Sequence, residues 1–220
     1  MNAKDFLMAI QKEQVVAKAL ELLDEVGLDG LTMRRLADAM EIKAASLYWH
    51  FANKQVLLDA MADALVADVA LVPAAAGQPW RERVAQVAGE MRGALLARRD
   101  GARVYAGTYV TSDNVLRVGD AIMAPLREAG AGTRLASWGA FSVLYFLLGF
   151  VMEESGLARD AMPAAELDQR AEAFQAAAMA RFSHLAAARD DIFNPDFEAR
   201  FRFGLDLLLD GLAARLAAGE

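Results

Sequence analysis

Between Ala44 and Phe51 the chain reads AASLYWHF, which puts a serine, three aromatic side chains and a histidine within eight residues. Arg34 stands upstream of this stretch and Lys54 just downstream. Tyrosine hydroxyls, imidazoles and ammonium groups donate to phosphate oxygens, and the fork of an arginine matches the O6 and N7 acceptors of a guanine edge. Small side chains at Ala44, Ala45 and Ser46 let the start of a helix approach a major groove closely. This is chemistry of recognition rather than of bond making. There is no cysteine, the only histidines are His50 and His184, and neither a phosphate-binding loop nor a dinucleotide fingerprint is present. The acidic pairs Glu153-Glu154 and Asp190-Asp191 are adjacent, so on a helix their carboxylates point about 100° apart. The chain is therefore not expected to be an enzyme, and no cofactor is expected.

The elements that must carry these residues are helices. Ala and Leu are abundant, prolines number 5 and 56% of residues are hydrophobic, which predicts an all-α fold. A first helix is expected from about Lys12 to Val26, with Val15, Val16, Ala19, Leu20, Leu22 and Leu23 on its apolar side and Gly27 as its stop. Thr32 has the chemistry of an N-cap for a short second helix whose inward residues are Leu36, Ala37 and Met40. Glu41 to Lys43 leaves room only for a tight turn. A third helix follows over about Ala44 to Phe51, broken at Ala52-Asn53, and a longer one runs from Lys54 to about Asp68. Two short helices across a tight turn, braced by longer ones, make a helix-turn-helix unit. Leu47 and Phe51, four apart, face its core, and Ser46, Tyr48, Trp49 and His50 fall around the remaining circumference.

Val72 to Pro79, with two prolines and no charge, reads as a linker. Domains are expected at residues 1–70 and 71–220. The second is predicted to hold helices at Trp80 to Arg99, Ser112 to Glu128, Thr133 to Glu154 and about Ala171 to Ala188, with Asp100 to Tyr109 a short irregular or helical connection. Gly156 to Gln169 reads as a poorly ordered loop. In a last helix Phe197, Phe201, Leu205, Leu208, Leu212 and Leu216 form a sustained apolar stripe. Leu135 to Met152 contains no charge and approaches the length of a membrane span. It is the only such run and charges bracket it, so a buried helix and no membrane association are expected. The start of the chain lacks the pattern of a signal peptide, and a cytoplasmic location is expected.

Net charge is −7. Leu31 to Lys54 holds four basic and two acidic residues, a balance of +2 that leaves −9 for the remainder. A protein that coats nucleic acid over its whole surface is excluded, and the positive segment coincides with the helix-turn-helix.

The segment LTMRRLADAMEIKAASLYWHFANKQVLLDAM, Leu31 to Met61, closely resembles the DNA-binding domain of tetracycline-repressor (TetR) family regulators, and weaker similarity continues over most of the chain. The resemblance implies a homodimer that binds a palindromic double-stranded DNA operator, most readily as a repressor, and leaves it when a small-molecule effector enters the larger domain. It places Arg34, Ala44, Ala45, Ser46, Tyr48 and Trp49 against bases, and Thr32, Tyr48, His50 and Lys54 against phosphates. Glu41 stands where the tetracycline repressors have a glycine, so a left-handed backbone there would cost about 1 kcal/mol; Ala44 stands where they carry a bidentate amide, so the operator sequence should differ. Tyr105 occupies the place of a histidine that binds magnesium with the drug, about Ala70 that of a second pocket histidine, and the pocket amides align near Val87 and Ile122. No metal site is expected. The cavity is expected to be lined by Met91, Leu95, Tyr105, Thr108, Met123, Phe141, Tyr145 and Glu153 and to suit a hydrophobic or aromatic effector. Gly139, Ser142 and Gly149, with the last helix, are expected to form a four-helix dimer interface. A helical ligand-binding protein without DNA readout, and an activator of the same family, are the alternatives.

Overall fold

The computed structural model describes residues 11–73, 75, 77–108, 111–159, 164–179 and 181–220, and every regular element among them is an α-helix. α1 (Lys12–Gly30) buries the six apolar residues expected of it and kinks at Gly27, whose φ of 70° is the left-handed conformation. α2 (Met33–Ala39) starts at Thr32, which accepts a hydrogen bond from the Arg35 N–H at 3.2 Å. The turn to α3 (Ala44–His50) passes through Glu41 at φ 56°. Asn53 caps α4 (Lys54–Leu65) by accepting from the Val56 N–H at 3.0 Å. Leu31, Leu36, Leu47, Phe51, Leu57 and Met61 close the centre of this head.

The body consists of α5 (Trp80–Leu96), α6 (Gly101–Ala106), α7 (Asp113–Glu128), α8 (Thr133–Arg159), α9 (Ala164–Met179), α10 (Ser183–Ala187), α11 (Arg189–Ile192) and α12 (Phe197–Ala217). Several boundaries correct the sequence reading. α4 stops at Leu65 and α5 at Leu96, each followed by turns. Most of the expected loop from Gly156 to Gln169 is helix, because α8 runs on to Arg159 and α9 begins at Ala164; residues 160–163 lie outside the described ones, as do 109 and 110. The single helix expected to Ala188 is broken, because α9 ends at Met179 and α10 covers only Ser183–Ala187; with α11 beyond them, these helices pack chiefly on one another.

α8 and α12 cross closely. A Cβ on Gly204 would fall 2.5 Å from the Phe146 ring, and one on Gly139 would fall 2.8 Å from Leu212. Gly139 thus serves contact within the chain rather than the dimer face expected for it. On α12 the deeply buried residue is Leu209, with Leu208 only partly covered. Phe146, Phe150, Phe197 and Phe201 pack ring against ring beneath the Arg92 guanidinium, which forks onto Glu154 at 2.7 and 2.8 Å and reaches Glu198. The buried residues of head and body form one continuous cluster, bridged by Val66 and Val69.

A left-handed conformation strains a residue with a Cβ by about 1 kcal/mol. Glu41→Gly should therefore stabilise the protein by up to ~1 kcal/mol, read as a higher urea midpoint at unchanged slope.

Candidate DNA-reading face and effector cavity

α3 is amphipathic in the way its residues require. Leu47 and the following Phe51 sink into the head, while Tyr48 is 51% and Trp49 85% exposed. Neither ring stacks on another ring among the described residues. Large exposed aromatics beside small Ala45 form a surface whose apolar area water covers at a cost, the mark of a contact site. Arg34 is exposed on α2, and among the described residues no hydrogen bond or ion pair engages its guanidinium. Its neighbour Arg35 instead donates to the Gly30 carbonyl at 3.0 Å. Ala44, Ser46 and His50 are partly exposed along the flank of α3, and Thr32 is exposed at the start of α2. Lys54 differs from the sequence reading. Its ammonium donates to the Leu28 carbonyl at 3.1 Å, so it braces α1 against α4, and only its remaining donors can serve a phosphate.

The Leu28 peptide is held from both sides, because its N–H donates to Asp100 Oδ2 at 2.8 Å. Around it Asp24 pairs with Arg98 at 2.6 Å, and Arg103 lies 3.2 Å from Asp29. These ties fix the end of α1 to the corner where α5 meets α6. Gln55 on α4 also donates to the Gly107 carbonyl at 3.2 Å, at the far end of α6.

α6, α7 and α8 form a partly open cavity of ≈ 190 Å³ lined by Tyr105, Val118, Ile122, Met123, Phe141 and Leu144, among others. Three of the eight expected cavity residues, Tyr105, Met123 and Phe141, are brought together there. Met91 and Leu95 are buried in the core behind it, and Val87 is core as well. Thr108 caps α6 by donating to the Tyr105 carbonyl at 2.8 Å. Tyr145 is 67% exposed on the outer side of α8. Glu153 also faces outward, and the inward carboxylate is Glu154, which Arg92 neutralises. The sequence carried that signal: Val143, Leu147, Val151 and Glu154 follow one helical stripe, and Glu153 is out of phase with it.

Tyr105 is 8% exposed, and its hydroxyl has no hydrogen-bond partner among the described residues. Burial, with a smaller contribution from the Asp63 charge, pushes its phenol up to about 12. It remains a hydrogen-bond donor at any physiological pH, on a side chain that lines a largely apolar pocket. Residues that sequence reasoning missed tie α4 to α7. Asp63 accepts from Ser112 Oγ at 2.5 Å and from the Asn114 N–H at 3.1 Å, a cap supplied to α7 by another helix. Arg117 on α7 reaches back to the carbonyls that follow α4.

A helix-turn-helix with a solvated reading face, mounted on a helical body that holds an apolar pocket, defines a ligand-responsive DNA-binding regulator. Comparison with known proteins agrees. Residues 15–61 match the model for bacterial regulatory proteins of the tetR family, and residues 72–216 that for the tetracyclin repressor-like C-terminal domain. The chain is 38% identical over 208 residues to the tetracycline repressor protein class A from transposon 1721 of Escherichia coli, covering 94% of this chain and 92% of that protein. A possible TetR family transcriptional regulator from Streptomyces coelicolor A3(2) superposes with a TM-score of 0.82 at 44% identity, over 93% of this chain and 99% of its own. The S. coelicolor TetR family protein ActR in complex with actinorhodin superposes at 0.83 with 30% identity, over 96% and 99%. The chain belongs to the TetR family, a family of regulators and not of enzymes, and its role is that of a ligand-responsive transcriptional repressor.

Two outcomes test the site. Arg34→Ala should cost ~1–3 kcal/mol in operator affinity and relax one base position, measured by binding across a set of single-base variants. Because the Tyr105 phenol is raised in the folded state, the stability it confers is complete below the unfolded value near 10 and is lost as pH climbs towards 12. Tyr105→Phe should flatten the alkaline limb of the stability profile over that window, read by urea unfolding at successive pH values.

Proposed function

We propose that this repressor binds a palindromic operator as a homodimer and is released by a small hydrophobic or aromatic molecule that occupies the cavity around Tyr105. The observation that carries the DNA half is the exposed Tyr48–Trp49 face beside the unengaged Arg34. Arg34, Ala44, Ala45, Ser46, Tyr48 and Trp49 would meet bases, and Thr32, Tyr48, His50 and the spare donors of Lys54 would meet phosphates. The division of labour falls near residue 70, with reading before it and sensing and pairing after it.

The dimer reading rests on the outer face of α8 and α12. Trp138, Tyr145, Phe203 and Leu207 are all more than half exposed there. The apolar window of α8, Thr133–Gly156, is only 33% buried within this chain, although by length and composition it could cross a membrane. A second copy would cover that face with the same two helices across a two-fold axis, which sets two reading heads about one DNA turn, ~34–36 Å, apart. We place the protein in the cytoplasm, where such an operator is found.

Tyr105 stands where the tetracycline repressors offer a metal-binding histidine, and a neutral phenol is a poor ligand for a divalent ion. The effector is therefore read as metal-free, held by apolar contact and by one hydrogen bond from the Tyr105 hydroxyl. That ActR accommodates actinorhodin in the same architecture supports an aromatic occupant.

Selection of binding sites from a random DNA pool, repeated over a salt series, should enrich a palindrome whose half-sites lie one turn apart. Loss of affinity with rising salt should follow the number of phosphates contacted. Absence of enrichment would overturn the reading as a DNA-specific repressor. Release of the operator by micromolar tetracycline with magnesium would overturn the metal-free effector.

A further inference from the structure

The segment that joins the head to the body, Val66 to Ala70, would ordinarily be the loosest part of such a protein. Here it is held by two helices of the body. Arg117 of α7 donates through Nη2 to the Val66 carbonyl at 3.1 Å and the Ala67 carbonyl at 2.7 Å, and through Nε to the Val69 carbonyl at 3.0 Å. Its Nη1 donates to Asn114 Oδ1 at 2.7 Å, and Asn114 in turn donates to Asp63 Oδ2 at 2.9 Å, on the last turn of α4. From the opposite side Glu90 of α5 accepts the Ala70 N–H at 2.8 Å. Ala70 itself sits at φ 55°, a strained conformation for alanine that persists only where its surroundings impose it. Val66 and Val69 are buried at 0% and 2% exposure, so apolar packing and hydrogen bonds act on the same five residues.

The carbonyls after the last turn of a helix carry partial negative charge and lack partners within the helix. A guanidinium answers three of them at once because its donors lie in one rigid plane. A lysine at the same place would offer a single point of attachment. Three carbonyls and one N–H held from two different body helices define the direction of α4, and α4 carries α3 on its other end.

We infer that Arg117, with Glu90 as its counterpart, is the positioning residue that sets the angle between each reading head and the body, and so the half-site separation that the dimer accepts. The inference rests on the dimer-on-palindrome reading proposed above. Arg117 immediately precedes Val118, which lines the effector cavity, so the grip and the cavity share one turn of α7.

The test uses the full-length protein and the palindrome enriched from the random pool, with versions in which one base pair is added or removed between the half-sites. Each such change moves one half-site by about 3.4 Å and rotates it by about 35°. Wild type should bind the altered spacings about tenfold more weakly than the native one, since either protein or DNA must deform. Arg117→Met should lose most of that discrimination while keeping its affinity for an isolated half-site. Arg117→Lys should behave like the methionine variant, because charge alone does not make the three-point grip; it also carries the test if Arg117→Met does not fold. Thermal melting and solution mass are followed in parallel, since a merely structural role would lower the melting point and leave the spacing preference intact. Undiminished discrimination in a folded Arg117→Lys protein overturns the inference and leaves the proposed function standing. A wild type without any spacing preference overturns the dimeric reading itself, and this inference with it.

Discussion

A polar backbone group that leaves a helix inside a protein must find a partner, and the end of α4 is where this chain has the most of them to satisfy. The carbonyls of Val66, Ala67 and Val69 emerge where the apolar cores of head and body run together. Among the described residues backbone pairing answers only the Val66 carbonyl, which accepts the Val69 N–H, so Arg117 of α7 donates to all three, while Glu90 of α5 accepts the N–H of Ala70. Much of the architecture follows from this. α7 must begin beside α4, which explains why its first turn is capped by Asp63 rather than by a residue of its own. α6 must lie within reach of Gln55 and of the Leu28 peptide, which places Tyr105 at the inner end of the cavity. The reading head is thus not a bead on a string but an extension of the body's own packing.

The head was largely legible in the sequence because its determinants are local. The six buried residues of α1, the Thr32 cap and the inward pair Leu47 and Phe51 all follow from periodicity and from cap chemistry over spans of a few residues, whereas Gly27, expected as the stop of α1, only kinks a helix that runs on to Gly30. The Tyr48–Trp49 face was legible for the same reason: once Leu47 and Phe51 point inward, the helical repeat leaves the others no choice but solvent. Glu41 was legible as a departure from the family's glycine, with a cost attached to any left-handed backbone there; the turn geometry adds that the backbone is indeed left-handed, at φ 56°.

The body was less legible because its site depends on contacts between residues far apart in the chain. Nothing in AEAFQAAAMARFSHLAAA marks a helix break, yet α9 ends within it at Met179 and a separate short helix starts at Ser183. Glu154 and Arg92 are 62 residues apart, and the partners of Arg117 lie about 50 residues before it. A charged residue on a mostly polar stretch reads as a solvated one until its partner is known. Glu153 and Glu154 illustrate how narrow the margin is, since one step along the helix separates a surface carboxylate from a buried one. The cavity residues that were found, Tyr105, Met123 and Phe141, are those whose helices would have met anywhere in this fold; Met91 and Leu95 are one layer too deep.

The charge distribution has a consequence for how the protein searches. With +2 on the segment that reads DNA and −9 on the rest, the positive charge is a local patch on a net anion, and the flanking helices of the head are themselves acidic. The field of a DNA duplex attracts that patch and repels most of the remaining surface, so long-range attraction to the duplex is weak. Screening by salt shortens the reach of both effects to a Debye length, ~8 Å at physiological ionic strength. Affinity is then decided at close range, by the few side chains around α3.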